Sequence, residues 1–213
     1  MSNFRFHLSV SADGYVAGPD QSEENPLGVG GEQLHDWVVP LAAWRKPHGK
    51  EGGEVNASTS VVEELQRNVG AGVMGRNMFG PISRGDWGDG SWKGWWGDDP
   101  PFHTPVFVLT HHARDPVEME GGTTFTFVTD GLESALAQAR DAADGKDVVL
   151  HGGAGVAQQY LAAGLIDEFE LHIAPVLLGG GERLLDNVGD LQVEQVRAIE
   201  APGVTHIKYR VVK

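Results

Sequence analysis

The stretch that decides the fold is DVVLHGGAGVAQQYLAAGLIDEFELHIAPVLLG, residues 147–179. Its pattern predicts a buried strand over 147–152, a glycine-rich turn, a helix over 155–164 and a long strand over 168–179. A strand, a helix and a second strand in this order are typical of α/β folds with a parallel sheet. The stretch therefore predicts an α/β architecture for the surrounding chain.

The rest of the chain continues this alternation of strands and helices. The further predicted strands are 4–10, 72–75, 105–110, 123–129, 191–200 and 204–212. The further predicted helices are 32–44, 60–69 and 132–144, with Ser60 and Glu63 as a capping pair for the second and Asp130 and Glu133 for the third. An Ala-Pro-Gly turn joins the last two strands and predicts an antiparallel hairpin. We therefore expect a single domain over 1–213, with a mainly parallel central sheet, antiparallel C-terminal edge strands and helices on both faces.

Composition narrows the classes of function. The 213 residues include 30 acidic and 16 basic side chains, for a formal charge of −14. A surface of this charge repels nucleic acid, so any bound phosphate must be held by a local site. The chain has no cysteine, which excludes disulfides, a cysteine nucleophile and a thiolate zinc site. It shows neither a signal-peptide pattern nor a membrane-length apolar run, and we expect a cytoplasmic protein without a membrane partner.

Three predicted strand ends carry residues suited to binding phosphate. They are VMGRNMFG (73–80), LTHHAR (109–114) and LHGGAGVAQQYL (150–161). Ligands of open α/β sheets bind beyond the carboxyl ends of strands, where loops meet helix N-termini. Two of these motifs also have simpler interpretations. Arg76 in the first could be a surface arginine, and the glycines of the third could form a tight turn. A metal site at His111 and His112 is disfavoured, because side chains of adjacent residues point apart.

A dinucleotide-binding Rossmann motif does not account for the glycines at the third strand end. That motif requires G-x-G-x-x-G and an acidic residue about 20 positions further on. Here Gly153 and Gly155 are followed by Ala157 and Gln158, and position 173 is Ile.

Taken together, five stretches carry a resemblance that covers nearly the whole chain. They are SADGYVAG (11–18), VMGRNMFG (73–80), PVFVLTHH (105–112), LHGGAGVAQQYL (150–161) and GLIDEFELHIAPVLLGGGERLL (164–185). In this order they resemble the dihydrofolate reductase superfamily. The branch that they resemble most is the C-terminal reductase domain of bifunctional riboflavin-biosynthesis enzymes, with its stand-alone relatives.

The resemblance implies a reductase that uses NADPH on a pterin- or pyrimidine-like heterocycle or a carbonyl substrate. It implies that Gly75, Arg76 and Asn77 bind the cofactor's phosphates, and that Thr110 and His111 lie near the adenosine 2′-phosphate. It places Ala12 near the nicotinamide. The residues that it assigns to the pyrophosphate are Gly152, Gly153, Ala154, Gly155 and Val156.

The resemblance also suggests two catalytic residues and a homodimer. Dihydrofolate reductases bind the pterin through a carboxylate on the first helix. Here that helix offers Glu32 and Asp36, of which Asp36 is the candidate, although a solvated aspartate is the simpler interpretation. His151 replaces a glutamate common in riboflavin-type reductases, which argues against the riboflavin pyrimidine as substrate. A near-neutral pKa would suit His151 to proton donation, although a structural histidine at a strand end is also possible.

Other functions stay open at this point. The segment 80–104 contains four tryptophans, which either stack on a flat substrate or pack beneath the segment or against a second subunit. The alternatives to the leading function are dihydrofolate reductase activity as a side activity and nucleotide binding without catalysis.

Overall fold

The computed structural model describes residues 2–81 and 85–213. The strands are β1 (Phe4–Ser11), β2 (Tyr15–Ala17), β3 (Val69–Gly75), β4 (Pro105–Leu109), β5 (Val117–Glu118), β6 (Thr124–Val128), β7 (Asp147–Leu150), β8 (Glu168–Ala174), β9 (Glu182–Arg183), β10 (Val193–Ala201) and β11 (Val204–Val211). The α-helices are α1 (Ala42–Arg45), α2 (Ala57–Leu65), α3 (Arg76–Phe79), α4 (Leu132–Ala142) and α5 (Ala154–Ala162), and short 3₁₀ helices span Gly31–His35, Lys46–His48 and Glu120–Gly122.

The described strands form one large sheet and one small ribbon. The order in the sheet is β10-β11-β8-β1-β7-β3-β4-β6-β5, and β2 pairs with β9 in the ribbon. The pairs from β8 through β6 are parallel, whereas β10, β11 and β5 join antiparallel to their neighbours. The predicted α/β class, the mainly parallel sheet and the antiparallel C-terminal hairpin are confirmed.

The side chains of β1 point alternately to the two faces of the sheet. Phe4 and Phe6 point into the main core, where Phe4 meets the Tyr160 ring of α5 edge-on at 4.8 Å. We call this side the helix face, because α4 and α5 pack on it. We call the opposite side, which carries His7 and Ser9 of β1, the histidine face. A 3₁₀ segment and α2 cover part of the histidine face, so helices lie on both sides as predicted.

A second apolar cluster lies under segment 80–104. Its buried residues include Phe79, Phe125 and Phe127, and Trp87, Trp92 and Trp96 of the segment pack against the cluster. Trp87 meets Phe127 with ring centroids 4.7 Å apart, and Trp96 meets Phe125 at 6.1 Å. Of the two interpretations of the tryptophans, the geometry supports packing beneath the segment.

Helix boundaries differ from the predictions at three places. The predicted helix 32–44 is split into a 3₁₀ turn and the short α1, because Pro40 lacks the N–H that a continuous helix needs. Helix α2 begins earlier than predicted, since Asn56 rather than Ser60 caps it by accepting from Ser58 N at 2.8 Å. Gly131 is the residue that precedes α4, and the predicted cap by the Asp130 side chain is not formed.

Strand β8 ends at Ala174, five residues short of the predicted end at 179. Pro175 follows, and proline has no backbone N–H to donate to a neighbouring strand. Within the described residues, no helix combines the length and the apolar character needed to cross a membrane.

Candidate active site

Four predicted binding segments meet along one edge of the sheet. Strands β1, β7, β3 and β4 are consecutive neighbours and all parallel, so their carboxyl ends lie side by side. These ends lead to Ala12, Gly152, Gly75 and Thr110 in that spatial order. With about 4.8 Å between neighbouring strands, the row of ends spans roughly 14 Å. The structure therefore brings together residues that lie up to 140 positions apart in the chain (152 − 12).

The centre of the row is tightly built. Gly75 N donates to Gly152 O at 2.7 Å, which ties the end of β3 to the loop after β7. A Cβ on Gly75 would come within 2.7 Å of Val156 Cγ2, so glycine is required for the close approach of α5. The Gly152–Gly153 peptide bond is cis.

The N-terminus of α5 is uncapped and has free space beside two of its glycines. Gly153 precedes the helix without a side-chain cap, which leaves the first N–H groups available. A Cβ on Gly153 or Gly155 would meet no atom within 4 Å. Free N–H groups and the positive end of the helix dipole together favour an anion here.

The outer end of the row carries Thr110 and His111. Thr110 is buried, and its Oγ1 accepts from His112 N at 3.1 Å. His111 is exposed beside it. The two residues thus lie three strands away from Ala12, at the opposite end of the row.

Asp13 fixes the turn that carries Ala12. Its carboxylate accepts from Ser11 Oγ at 2.6 Å, from Leu178 N at 3.1 Å and from Gly179 N at 2.7 Å. These hydrogen bonds, with that of Ser11 the strongest, lower the pKa of Asp13 to about 2. Ala12 N also donates to Val176 O at 2.9 Å, so the turn is held against the segment after β8.

Arg76 lies in the row, but its guanidinium is directed towards the tryptophan segment. Its Nη1 donates to Gly80 O and Pro81 O, and its Nη2 donates to Asp86 O at 3.0 Å. The guanidinium also lies 4.0 Å from the centroid of the Trp87 ring. The predicted phosphate contact of this side chain stays a prediction, and the geometry favours an anchoring role instead.

Replacing Arg76 by Ala tests that anchoring role. We expect Arg76→Ala to increase the protease sensitivity of residues 85–99, because three backbone carbonyls and one indole lose their cation. Limited proteolysis with mass spectrometry measures this effect. We expect NADPH and NADH affinities to fall by the same factor. A loss of NADPH affinity at least tenfold larger than that of NADH would show a phosphate contact instead.

Aromatic side chains pack on the histidine face on either side of β1. His7 in the middle of this face is half-buried. On one side the Trp37 indole covers His172, with ring centroids 4.9 Å apart, and on the other Phe102 covers His151 at 4.6 Å. Strands β8 and β7 flank β1, so the two aromatic side chains cover strands about 10 Å apart.

His151 does not have the near-neutral pKa expected of a proton donor. Burial, assisted by His7 and Arg5, lowers the pKa of His151 to about 3, so its imidazole is neutral at physiological pH. Its Nε2 is buried and lies against β3, where a Cβ on Gly72 would approach it to 2.4 Å. The near-neutral pKa expected for His151 is therefore wrong, and its buried position supports a role in shaping the site.

Asp36 lies exposed in the turn after the 3₁₀ helix Gly31–His35. Its neighbour Trp37 points inward instead, and Trp37 Nε1 donates to Ser9 Oγ at 3.1 Å. A substrate contact by Asp36 stays a prediction that this orientation does not favour.

The polar residues of the histidine face were missed by sequence reasoning. His7, Ser9, His172 and His206 all alternate with apolar residues on strands, as in FHLSVS (6–11) and ELHIA (170–174). A polar residue at every second position of an otherwise apolar central strand was the available signal. It was overlooked because such alternation normally indicates a solvated face.

The chain was compared with known protein families and structures. A sequence model of the RibD C-terminal domain family matches residues 4–210. The uncharacterized protein YyaP of Bacillus subtilis is 29% identical over 119 residues, which is 53% of this chain and 62% of YyaP. The match thus spans less than two thirds of this curated relative.

Three solved structures share the fold. A protein assigned to riboflavin biosynthesis from Shewanella sp. PV-4 has a TM-score of 0.64 at 22% identity, covering 99% of both chains. The diaminohydroxyphosphoribosylaminopyrimidine deaminase/5-amino-6-(5-phosphoribosylamino)uracil reductase of Thermotoga maritima has a TM-score of 0.56 at 12% identity, with 99% of this chain and 57% of that one covered. Dihydrofolate reductase from Enterococcus faecalis, complexed with NADP(H), has a TM-score of 0.52 at 12% identity over 99% of this chain and 97% of that one. The predicted dihydrofolate reductase-like fold is confirmed.

Proposed function

Because the chain belongs to the RibD C-terminal domain family, we propose that it is an NADPH-dependent reductase of a small pyrimidine- or pterin-like heterocycle. The observation that carries this proposal is the row of four parallel strand ends with the open, uncapped N-terminus of α5 at its centre. A protein with a formal charge of −14 needs such a concentration of donors to hold an anionic cofactor.

The cofactor would lie along the row. In this arrangement the N–H groups of the α5 first turn, with Gly152 to Val156, bind the pyrophosphate. Gly75, Asn77 and the backbone of Arg76 adjoin it on one side. The nicotinamide is next to Ala12, and the 2′-phosphate is next to Thr110 and His111. The open space before Gly153 and Gly155 fits such a group, since it has room for an anion within reach of unpaired donors.

The substrate would bind on the histidine face, above β1. A flat heterocycle above His7 would lie between Trp37 and Phe102, where apolar rings exclude water from both sides. Burial lowers the pKa of His7 to about 4, with Arg5 adding to the effect, so this floor is uncharged at neutral pH. The bound NADPH supplies the hydride, and the chain contributes orientation and water exclusion.

Calorimetric titration with NADPH and, separately, NADH tests the cofactor assignment. A charge-assisted contact to the 2′-phosphate contributes about 1.5–3 kcal/mol, so we expect NADPH to bind about 10- to 100-fold more tightly. Absence of binding by either nucleotide would refute the assignment. NADPH binding without turnover of any pterin, pyrimidine or carbonyl compound would indicate a nucleotide-binding protein instead.

A homodimer and a cytoplasmic location also stay predictions. Analytical ultracentrifugation of the purified chain measures the first directly.

A further inference from the structure

Trp87 links the tryptophan segment to the loop that follows β4. Its indole Nε1 donates to His112 O at 2.8 Å, across 25 positions of the chain. A second hydrogen bond joins the same two parts of the chain, because Arg114 Nη2 donates to Gly90 O at 2.8 Å. The loop of residues 110–114, which we call the threonine loop, is therefore held on its outer side by residues 87–90.

The sheet holds the threonine loop on its inner side. Thr110 is buried, and its N donates to Val128 O at 3.0 Å. Thr110 Oγ1 in turn accepts from His112 N at 3.1 Å. Both backbone polar groups of His112 are thus bound, its N–H to Thr110 and its carbonyl to Trp87. His111 lies between these two attachments and is exposed.

Aromatic rings and guanidinium groups hold the Trp87 ring in place. The rings of Phe127 and Phe79 meet it edge-on, with centroids 4.7 and 5.8 Å away. The guanidinium groups of Arg76 and Arg114 lie 4.0 and 5.1 Å from its centroid. Because these contacts are separate from one another, the direction of the indole N–H does not depend on Arg76 alone.

Two positive charges lie next to the threonine loop. Burial lowers the pKa of both Arg76 and Arg114, and the charge of Arg114 lowers the pKa of Arg76 further. Asp86 has a smaller, opposite effect on the pKa of Arg76. Both guanidinium groups lie beside the Trp87 indole, so their charges add at the outer end of the row. In a protein with a formal charge of −14, this local concentration of cations favours a phosphate there.

We propose that Trp87 is a positioning residue that sets the preference of the site for NADPH over NADH. Its N–H fixes the carbonyl of His112, and the backbone then fixes Thr110 and His111, the residues assigned to the 2′-phosphate. NADH lacks this phosphate, so it gains nothing from an ordered threonine loop. The inference rests on the proposed function, because it uses that assignment of the 2′-phosphate.

Packing alone is the competing explanation for Trp87. Its ring covers Phe127 of the second apolar cluster, and loss of that contact would loosen the whole segment. A packing role predicts a lower Tm and equal losses of NADPH and NADH affinity. A positioning role predicts that the loss of affinity is confined to NADPH.

Trp92 provides a matched control within the same segment. Its Nε1 donates to Phe79 O at 2.9 Å. Phe79 ends α3, whose first residues Arg76 and Asn77 are assigned to phosphates that NADPH and NADH share. Trp92→Phe therefore removes the same kind of hydrogen bond from a loop that treats the two nucleotides alike.

Calorimetric titration of Trp87→Phe and Trp92→Phe with both nucleotides tests the proposal. We expect Trp87→Phe to bind NADPH about 3- to 10-fold more weakly, which is the effect of losing one neutral hydrogen bond, and to bind NADH as the unmodified chain does. Trp92→Phe should lower both affinities by the same factor. Equal losses in Trp87→Phe, no loss for either nucleotide, or a loss confined to NADPH in Trp92→Phe as well would each overturn the proposal.

Hydrogen–deuterium exchange of the nucleotide-free chain measures the order of the threonine loop directly. We expect Trp87→Phe to speed amide exchange in a peptide covering residues 110–114, because the carbonyl of His112 loses its donor and the loop can open. Trp92→Phe should leave exchange in that peptide unchanged. Unchanged exchange in Trp87→Phe, or loss of its folded circular dichroism spectrum, would overturn the proposal.

The two measurements also separate this inference from the proposed function. Failure of the unmodified chain to bind either nucleotide would refute the proposed function, and with it any role in nucleotide preference. If the unmodified chain prefers NADPH and Trp87→Phe keeps that preference, the inference about Trp87 fails alone.

Discussion

Gly155→Asp is expected to weaken NADPH binding roughly a hundredfold while leaving the fold intact. Gly155 lies in the first turn of α5, where its Cβ would enter open space. A carboxylate there would share the helix N-terminus with the cofactor's pyrophosphate, and two like charges about 5 Å apart repel by about 3 kcal/mol at an effective dielectric constant of about 20. Calorimetric titration with NADPH measures the loss.

The fold should tolerate this substitution well. Aspartate is favourable in the first turn of a helix, and replacing glycine adds about 0.5 kcal/mol of helix stability. Gly155→Asn is the matched control, because asparagine has the same shape and no charge. We expect it to weaken binding several times less than Gly155→Asp. Equal losses for the two variants would indicate a steric effect and would contradict pyrophosphate binding at α5.

Arg197→Met is expected to destabilise the protein by about 3 kcal/mol. Glu170, whose exposed fraction is 3%, receives two hydrogen bonds from Arg197, and its buried carboxylate would lose both of them. Arg197 also pairs with Glu64 of α2, so the loss would loosen that helix too. For a chain of this size the change corresponds to a fall in Tm of roughly 6–12 °C, measured by calorimetry or circular dichroism.

Arg210→Met supplies the control for this effect. Arg210 pairs with Glu168 and Glu194 at 3.5 and 3.7 Å, and its side chain is 55% exposed. Because exposed ion pairs contribute about 0–1 kcal/mol, its loss should lower Tm by only a few degrees. A Tm for Arg197→Met equal to that of Arg210→Met would show that Glu170 is not effectively buried.

The destabilisation should also depend on pH. Burial raises the pKa of Glu170, and Arg197 opposes that rise. Without Arg197 the folded-state pKa rises further above the unfolded value, so the folded variant binds more protons than the unfolded chain. Its stability therefore decreases as pH rises through that range, and the deficit relative to the unmodified protein should be smaller at about pH 5 than at about pH 8. A deficit independent of pH would contradict this account.

Most elements of the fold were predictable because their signals are local. The alternation of FRFHLSV and the apolar runs of β4 and β7 indicate strands wherever the rest of the chain lies. The glycines before α5 likewise identify a strand end followed by a helix. Predictions failed where a local signal competed with another, as at Pro40, which interrupts an otherwise helical pattern, and at Asn56, which caps α2 ahead of Ser60.

The candidate site divides in the same way. The row of strand ends was predictable, because glycines and polar residues directly after parallel strands must lie on one edge of the sheet. His172 and its partners were not. The sequence separates His172 from His206 by 34 positions and Ser58 from His206 by 148, and no local pattern relates them.

By itself, the sequence determined the class of fold, and it predicted which edge of the sheet binds ligands and that an acidic protein needs a local phosphate site. Only the tertiary structure decided that the Arg76 guanidinium contacts the tryptophan segment and that Ser58, His206 and His172 meet in a buried hydrogen-bonded chain. The reason is physical: side-chain alternation follows from the backbone of one strand, whereas the contact of two strands depends on their order and register in the whole sheet. The packing of α2 on β11 and the register of β11 with β8 are what bring Ser58, His206 and His172 within hydrogen-bonding distance.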